Sequence, residues 1–194
     1  PQPEPEIVAS LKNGVEGTNS SYTADTANVE ALWINNEAFP FDSVPVRKAF
    51  AYSIDRDAIV AALFGDLGVT KAWQSLNPPL VGRYADKQAY SQYVPNPGQV
   101  NSLMTGDGWT KSGGYWTKNG KTAAFTIKST AGNKRRELTE QILQEQLKNN
   151  GFKLSIKNPS ADDLFGTILA AGDYQVSLYA QTALSLNPGN CPIM

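Results

Sequence analysis

The sequence lacks histidine altogether and contains a single cysteine, Cys191, among its 194 residues. Histidine is the commonest general base and metal ligand near neutral pH, so its absence excludes Ser-His-Asp, Cys-His and HExxH chemistry within this chain. One cysteine cannot form an internal disulfide or a cysteine-based zinc cluster. No apolar run approaches the roughly 18 residues that a membrane-spanning helix requires.

The chain also lacks an excess of either charge, with 17 basic residues, 18 acidic residues and a net charge of −1. That balance argues against a nucleic-acid partner, which usually requires a clear basic excess, and against a polybasic membrane-surface protein. Hydrophobic residues make up 41% and charged residues 18% of the sequence, a composition typical of globular rather than disordered proteins. The length suits one large domain or two small ones.

Hydrophobic periodicity predicts an α/β chain. The stretch 123–180 alternates strand, helix, strand, helix and strand, which favours neighbouring strands joined by right-handed crossovers. Asn119-Gly120 predicts a tight hairpin turn between 115–117 and 123–128. The other predicted strands are 31–34, 152–157 and 174–180. The predicted helices are one capped by Asp42 or Ser43, one beginning at Asp55, and 99–105, 133–150 and 160–172.

Motifs for catalysis or metal binding are weak. Gly120-Lys121-Thr122 ends like a phosphate-binding loop, but Tyr115 stands where that motif needs glycine. The acidic pair Asp162-Asp163 and Asp55 with Asp57 lie at predicted helix starts, where the helix dipole favours acids, so we expect capping rather than acid–base chemistry. Three classes remain open from the residues alone: a binding lobe, an interaction module, or an enzyme fragment whose catalytic groups lie elsewhere.

Four ordered motifs resemble family 5 extracellular solute-binding proteins of ABC transporters, the oligopeptide-, dipeptide- and nickel-binding group. The longest is Pro40-Phe41-Asp42-Ser43-Val44-Pro45-Val46-Arg47-Lys48-Ala49-Phe50, continuing through Ser53-Ile54-Asp55-Arg56, with Ser53 in place of the usual alanine. The others are Asn96-Pro97 with Gly108-Trp109, the helix from Arg136 to Gly151, and Gly172-Asp173-Tyr174-Gln175-Val176.

The resemblance implies one lobe of a type II periplasmic-binding-protein-like receptor, matching the C-terminal lobe of dipeptide-binding proteins. Residues 1–194 are then a single α/β lobe, with a leading segment 1–28, a core 29–180 and a truncated crossover 181–194 to the missing first lobe. Because the chain begins with Pro1 and not Met, we expect a processed or excised piece of a longer protein.

For function, the resemblance implies the substrate-binding component of an ABC importer, which captures a small solute between two lobes and delivers it to a membrane permease. It implies no catalysis and no cofactor. The expected solute is a peptide, an oligosaccharide or a similar molecule, and the expected location is extracellular or periplasmic, with a lipid anchor in the full-length protein. A signalling receptor lobe without transport is the alternative, followed by an enzyme fragment.

The resemblance also implies where ligand contacts lie. Arg47, Asp55 and Arg56 are then expected to be helix-capping and ion-pair positions and not ligand contacts. After the last motif, peptide-binding members carry a tryptophan and, three residues later, an aspartate that pairs with the free amine of the peptide. Alignment places Gln181 and Leu184 at these two positions. We therefore expect that this lobe has no acid to bind a peptide amine. The expected ligand-binding residues are Trp73, Gln74, Asn77, Gln181, Thr182 and Leu184, with no catalytic or metal-binding residue.

Overall fold

A computed structural model describes residues 28–76 and 88–182, together with Ile7, Ser10, Leu11, Asn13 and Gly14. The chain divides into two compact units. The first unit comprises residues 1–31, 56–92 and 180–194, and the second comprises residues 32–55 and 93–179. The prediction of a single lobe spanning 1–194 stays a prediction. Within the described ranges, no helix is both long and apolar enough to cross a bilayer.

The main sheet has four strands in the order β1-β7-β5-β6. Strand β5 pairs in parallel with β6, Phe125 opposite Leu154, and with β7, Ile127 opposite Val176. The predicted run of parallel, neighbouring strands is therefore confirmed. The strands are β1 (Asn28–Ile34), β5 (Ala124–Lys128), β6 (Lys153–Lys157) and β7 (Val176–Thr182).

A second, antiparallel sheet has the order β2-β3-β4 and consists of Thr110–Ser112, Tyr115–Lys118 and Lys121–Thr122. Asn119 and Gly120 have φ of 51° and 74°, as a type I′ hairpin turn requires, so the predicted turn is confirmed. The predicted second hairpin strand, 123–128, was wrong in its extent. Strand β3 pairs with residues 121–122, which precede the predicted strand. Residues 124–128 join the parallel sheet instead, where Phe125 and Ile127 are buried.

The helices are α1 (Val44–Tyr52), α2 (Arg56–Phe64), α3 (Pro97–Gly106), α4 (Lys134–Asn149) and a short α5 (Ala161–Asp163). Asn133 caps α4 by accepting a hydrogen bond from the Arg136 amide at 3.2 Å. Ser43 precedes α1 but makes no capping bond, because its hydroxyl donates to Asp107 Oδ2 at 2.9 Å. Capping of α1 by the Ser43 side chain is thus a prediction that the structure corrects.

The structure also corrects the helix predicted over 160–172. The α-helical part is shorter than predicted, and a π-helical turn follows it. Helix α5 continues as a π-helical turn, Leu164–Ile168. The amide of Leu169 bonds to the carbonyl oxygen of Leu164 at 3.0 Å, an interval of five residues. Such turns interrupt ordinary α-helical pairing and are frequent at functional sites.

Aromatic rings fill the core of the second unit. Phe41 meets Phe125 edge-on with ring centroids 4.8 Å apart, and Phe50 meets both at 5.2 and 5.7 Å. Phe152 adds a fourth ring 6.4 Å from Phe125. Edge-to-face pairs of this kind contribute about 0.5–1.5 kcal/mol each beyond the burial of their area, so this cluster fixes α1 on the parallel sheet.

Candidate functional site

The first turn of α2 holds the loop that carries two of the predicted ligand-binding residues. The Arg56 guanidinium donates to the carbonyl oxygens of Trp73 and Tyr90 at 3.0 and 2.9 Å, and to Gln74 Oε1 at 2.9 Å. Its centre also lies 5.8 Å from the Tyr90 ring. A planar guanidinium can bond in several directions at once, which explains why Arg56 joins two segments of the loop.

Asp57 makes the next contacts of the same loop. Its carboxylate accepts from the Ala72 amide at 2.9 Å and from Lys71 Nζ at 2.8 Å. These hydrogen bonds, that of Lys71 first, lower the pKa of Asp57 below its ordinary value. The expectation of a helix-capping or ion-pair role for Arg56 stays a prediction, because the contacts described above are hydrogen bonds to loop oxygens. Asp57 is a second anchor of the same loop.

Trp73 and Gln74 differ in whether their side chains are already engaged in hydrogen bonds within the loop. Gln74 Oε1 accepts from Arg56, and its Nε2 donates to the Ala72 carbonyl oxygen at 3.2 Å. Both ends of this amide are therefore engaged in holding the loop. Trp73 is half-buried, and the hydrogen bond described for it uses its backbone carbonyl oxygen, not its indole. Trp73 is the better placed of the two for a ligand contact.

The other predicted ligand-binding residues follow β7. Gln181 and Thr182 are its last two residues, and Gln181 is half-buried. Asn77 and Leu184 lie outside the residues that the structure describes. The ligand-binding role of all six residues therefore remains a prediction.

A small open cleft of about 270 Å³ lies beside the loop that leads into β7. Gln175 closes one side, because its Oε1 accepts from the Thr126 amide at 2.8 Å and its Nε2 donates to the Phe39 carbonyl oxygen at 2.6 Å. Lys128 Nζ pairs with Asp173 Oδ2 at 3.2 Å on the other side. These polar groups brace the loop, so the cleft offers a ligand few polar side chains that are not already engaged.

Three aromatic residues that the sequence reasoning missed come together on the second unit. Trp33 stacks on Tyr179 with centroids 5.2 Å apart, and its indole N–H donates to the Tyr179 carbonyl oxygen at 3.2 Å. Phe165, on the π-helical turn, meets Tyr179 edge-on at 5.7 Å and is 49% exposed. Burial raises the pKa of Tyr179. Trp33 and Tyr179 both lie in predicted strands, but no local signal could pair them across 146 residues.

One acid of α4 lies in the interior, away from these sites. Glu140 is fully buried, and its Oε2 accepts from Asn158 Nδ2 at 2.7 Å. Among the described contacts its Oε1 has no partner, and neither does the buried Ser129 Oγ. Desolvation raises the pKa of Glu140 despite the bond from Asn158. In the part of the chain that the structure describes, no cluster of three or more acidic or cysteine side chains could hold a metal ion.

Comparison with known proteins matches residues 1–193 to the model of bacterial extracellular solute-binding proteins, family 5 Middle. The chain is 32% identical over 117 residues to the oligopeptide-binding protein AppA of Bacillus subtilis, covering 59% of this chain and 21% of that protein. It is 29% identical over 111 residues to the dipeptide-binding protein of Escherichia coli, covering 57% and 20%. The chain thus spans about a fifth of these relatives.

Solved structures agree on the fold. The structure of Bacillus subtilis AppA with a nonapeptide superposes with a TM-score of 0.71 at 24% identity, covering 83% of this chain and 32% of that one. The structure of NikA from Brucella suis with Fe(III)-EDTA gives 0.76 at 17% identity, covering 95% and 36%. Both are periplasmic-binding-protein-like, which confirms the predicted fold class.

Proposed function

The chain belongs to the bacterial extracellular solute-binding proteins of family 5, and from that premise we propose that it is one lobe of an ABC-importer receptor. The receptor captures a small solute between two lobes and passes it to a membrane permease, without catalysis. The family match over 1–193 is the observation that carries this proposal. A location outside the cytoplasmic membrane, with a lipid anchor, is part of the same proposal.

We place solute contacts on the loop after α2 and on the end of β7. Trp73 supports this assignment, because Arg56 and Asp57 fix the backbone around it and leave its indole for an apolar contact. Gln181 and Thr182 support it by their position at the end of the strand that follows the Gly172–Val176 motif. Gln74 has a supporting role in this proposal and does not contact the solute, since both ends of its amide hold the loop.

The proposed solute class is based on the absence of an acid at residue 184. The resemblance implies that peptide-binding members carry an aspartate for the peptide amine, and alignment through Tyr174 and Val176 sets Leu184 at its position in this chain. An ammonium group buried without its acid loses several kcal/mol. We therefore propose a solute whose recognition does not depend on a free amino terminus, such as a blocked peptide or an oligosaccharide.

A matched ligand pair tests this function. The full-length protein is screened by thermal shift against oligosaccharides and against peptides in two forms, one with a free and one with an acetylated amino terminus. A ligand present at about 100 times its Kd stabilises the folded state by about 2.7 kcal/mol. We expect stabilisation by at least one solute, and equal stabilisation by both forms of any peptide that binds. Preference for the free amine by tenfold or more contradicts the proposed solute class, and stabilisation by no solute contradicts the receptor function.

A further inference from the structure

Positive charge is concentrated in two segments of this nearly neutral chain. Residues 108–136 and 146–161 hold 10 of the 17 basic residues and no acidic residue. The rest of the sequence holds 7 basic and all 18 acidic residues. The net charge of −1 argues against a polybasic protein as a whole, but it conceals this local asymmetry.

The fold brings part of both segments together at one end of α4. The Trp116 amide donates to the Gly151 carbonyl oxygen at 2.8 Å, and its indole N–H donates to the Asn150 carbonyl oxygen at 2.8 Å. The Lys153 amide donates to the Ala123 carbonyl oxygen at 3.0 Å. The two Trp116 bonds join the β2-β3-β4 sheet to the turn between α4 and β6. Five lysines lie on the elements that meet here, and we call them the lysine patch. They are Lys111, Lys118 and Lys121 on the small sheet, Lys148 in the last turn of α4 and Lys153 at the start of β6.

Strand register places three of these lysines on the same face of the small sheet. Lys118 lies directly opposite Lys121, and Lys111 lies opposite Trp116, which is two residues from Lys118 and therefore on the same face. Like charges directly opposite each other destabilise a sheet. Asp107 relieves part of this repulsion through its contact with Lys118 at 3.3 Å.

Aromatic rings position the ammonium groups of the same three lysines. Lys111 Nζ lies 4.8 Å from the ring centre of Trp116, and Lys121 Nζ lies 5.5 Å from that of Phe39. Lys118 Nζ lies 5.9 Å from the Trp109 ring centre. Such cation–π contacts hold the stems in place, while Lys111, Lys121, Lys148 and Lys153 remain exposed.

We propose that the lysine patch binds an anionic lipid surface. All five cations are lysines and none is arginine. Lysine is a hydrated point charge without the planar fork that suits paired bonding to a single carboxylate or phosphate, so the patch fits many diffuse negative charges better than one specific anionic group. Each lysine near an anionic bilayer raises membrane affinity about fivefold. The patch then orients this unit towards a membrane, which is a property additional to solute binding.

Vesicle sedimentation tests the proposal. The protein is mixed with vesicles of phosphatidylcholine alone and with vesicles that contain phosphatidylglycerol, at low and physiological salt. We expect binding to the anionic vesicles only, weakening as salt screens the charges. The variant K111Q/K121Q removes two exposed charges and is expected to bind about 25-fold more weakly; K111E/K121E is expected to bind more weakly still.

Two exposed lysines outside the patch provide the control. K48E/K157E changes the net charge as much as K111E/K121E but leaves the patch intact, and we expect it to keep most of its vesicle binding. Equal loss in both reversal variants means that only net charge matters, and it overturns the proposal. Absence of binding to anionic vesicles at low salt also overturns the proposal. If the protein then binds polyglutamate, the patch fits an acidic protein instead of a lipid surface.

Discussion

Glu140 offers the clearest test of the energetics of this fold. It is fully buried on α4, with one carboxylate oxygen bonded to Asn158 and the other without a described partner. A buried polar atom without a partner costs about 1–3 kcal/mol, and more when charged. Glutamine has nearly the same shape and still leaves one amide atom without a partner, but it carries no charge. Glu140→Gln should therefore raise the free energy of unfolding at pH 7.5 by the extra cost of the buried charge, about 1 kcal/mol.

The sign of the pH dependence follows from the direction of the pKa. Burial raises the pKa of Glu140 in the folded state above its value in the unfolded chain, which is about 4.3. Between these two pKa values the folded protein keeps a proton that the unfolded chain has lost, so stability falls as pH rises through that window. At pH 4 the acid is mostly protonated in both states, and the advantage of the glutamine variant should shrink towards zero.

Urea unfolding of both proteins between pH 4 and 8 measures this difference directly, because all other titrating groups are shared. A gain of 1 kcal/mol corresponds to roughly 2–4 °C in Tm for a chain of this size. Glu145→Gln, an exposed acid on the same helix, is the matched control and should change stability little at any pH. The reasoning is refuted if Glu140→Gln is less stable than wild type at pH 7.5, or if its effect is independent of pH.

Two further substitutions test local geometry. Arg56→Lys keeps the charge but loses the planar guanidinium that bonds in several directions. The backbone amides of residues 71–76 should then exchange hydrogen for deuterium at least tenfold faster, as measured by mass spectrometry, and unchanged exchange contradicts the anchoring role. Gly151→Ala adds a Cβ 2.9 Å from the Trp116 ring at φ +88° and should cost about 2–4 kcal/mol in urea unfolding. Gly132→Ala, at φ +79° with open space, should cost only about 1–2 kcal/mol, and equal losses contradict the steric argument.

Local chemistry was sufficient to predict the elements whose ends are set by their own residues. Asn119-Gly120 predicts its hairpin turn because few other residues tolerate two successive positive φ angles. Asn133 and Gly151 bracket α4, since one accepts a bond from a first-turn amide and the other takes a φ of 88°. One of the four family motifs, Arg136 to Gly151, lies on α4, and the four motifs in order are why the fold class could be predicted.

Features that depend on distant partners could not be predicted. Ser43 looked like a helix cap, but its hydroxyl bonds to Asp107, 64 residues away. Residues 124–128 looked like a hairpin strand because alternation does not say which sheet buries Phe125. For the candidate site, the loop around Trp73 was identified by resemblance, whereas the engagement of the Gln74 amide by Arg56 became visible only in three dimensions.

Calorimetric titration of the full-length protein, as wild type and as Trp73→Ala, tests the receptor function most directly. We predict that wild type binds one equivalent of a solute found in the thermal-shift screen. Removing the indole should weaken binding by about tenfold or more, as expected for an aromatic contact that carries much of the binding energy. Binding of no solute by wild type contradicts the receptor function, and equal affinity in both proteins contradicts the placement of the site.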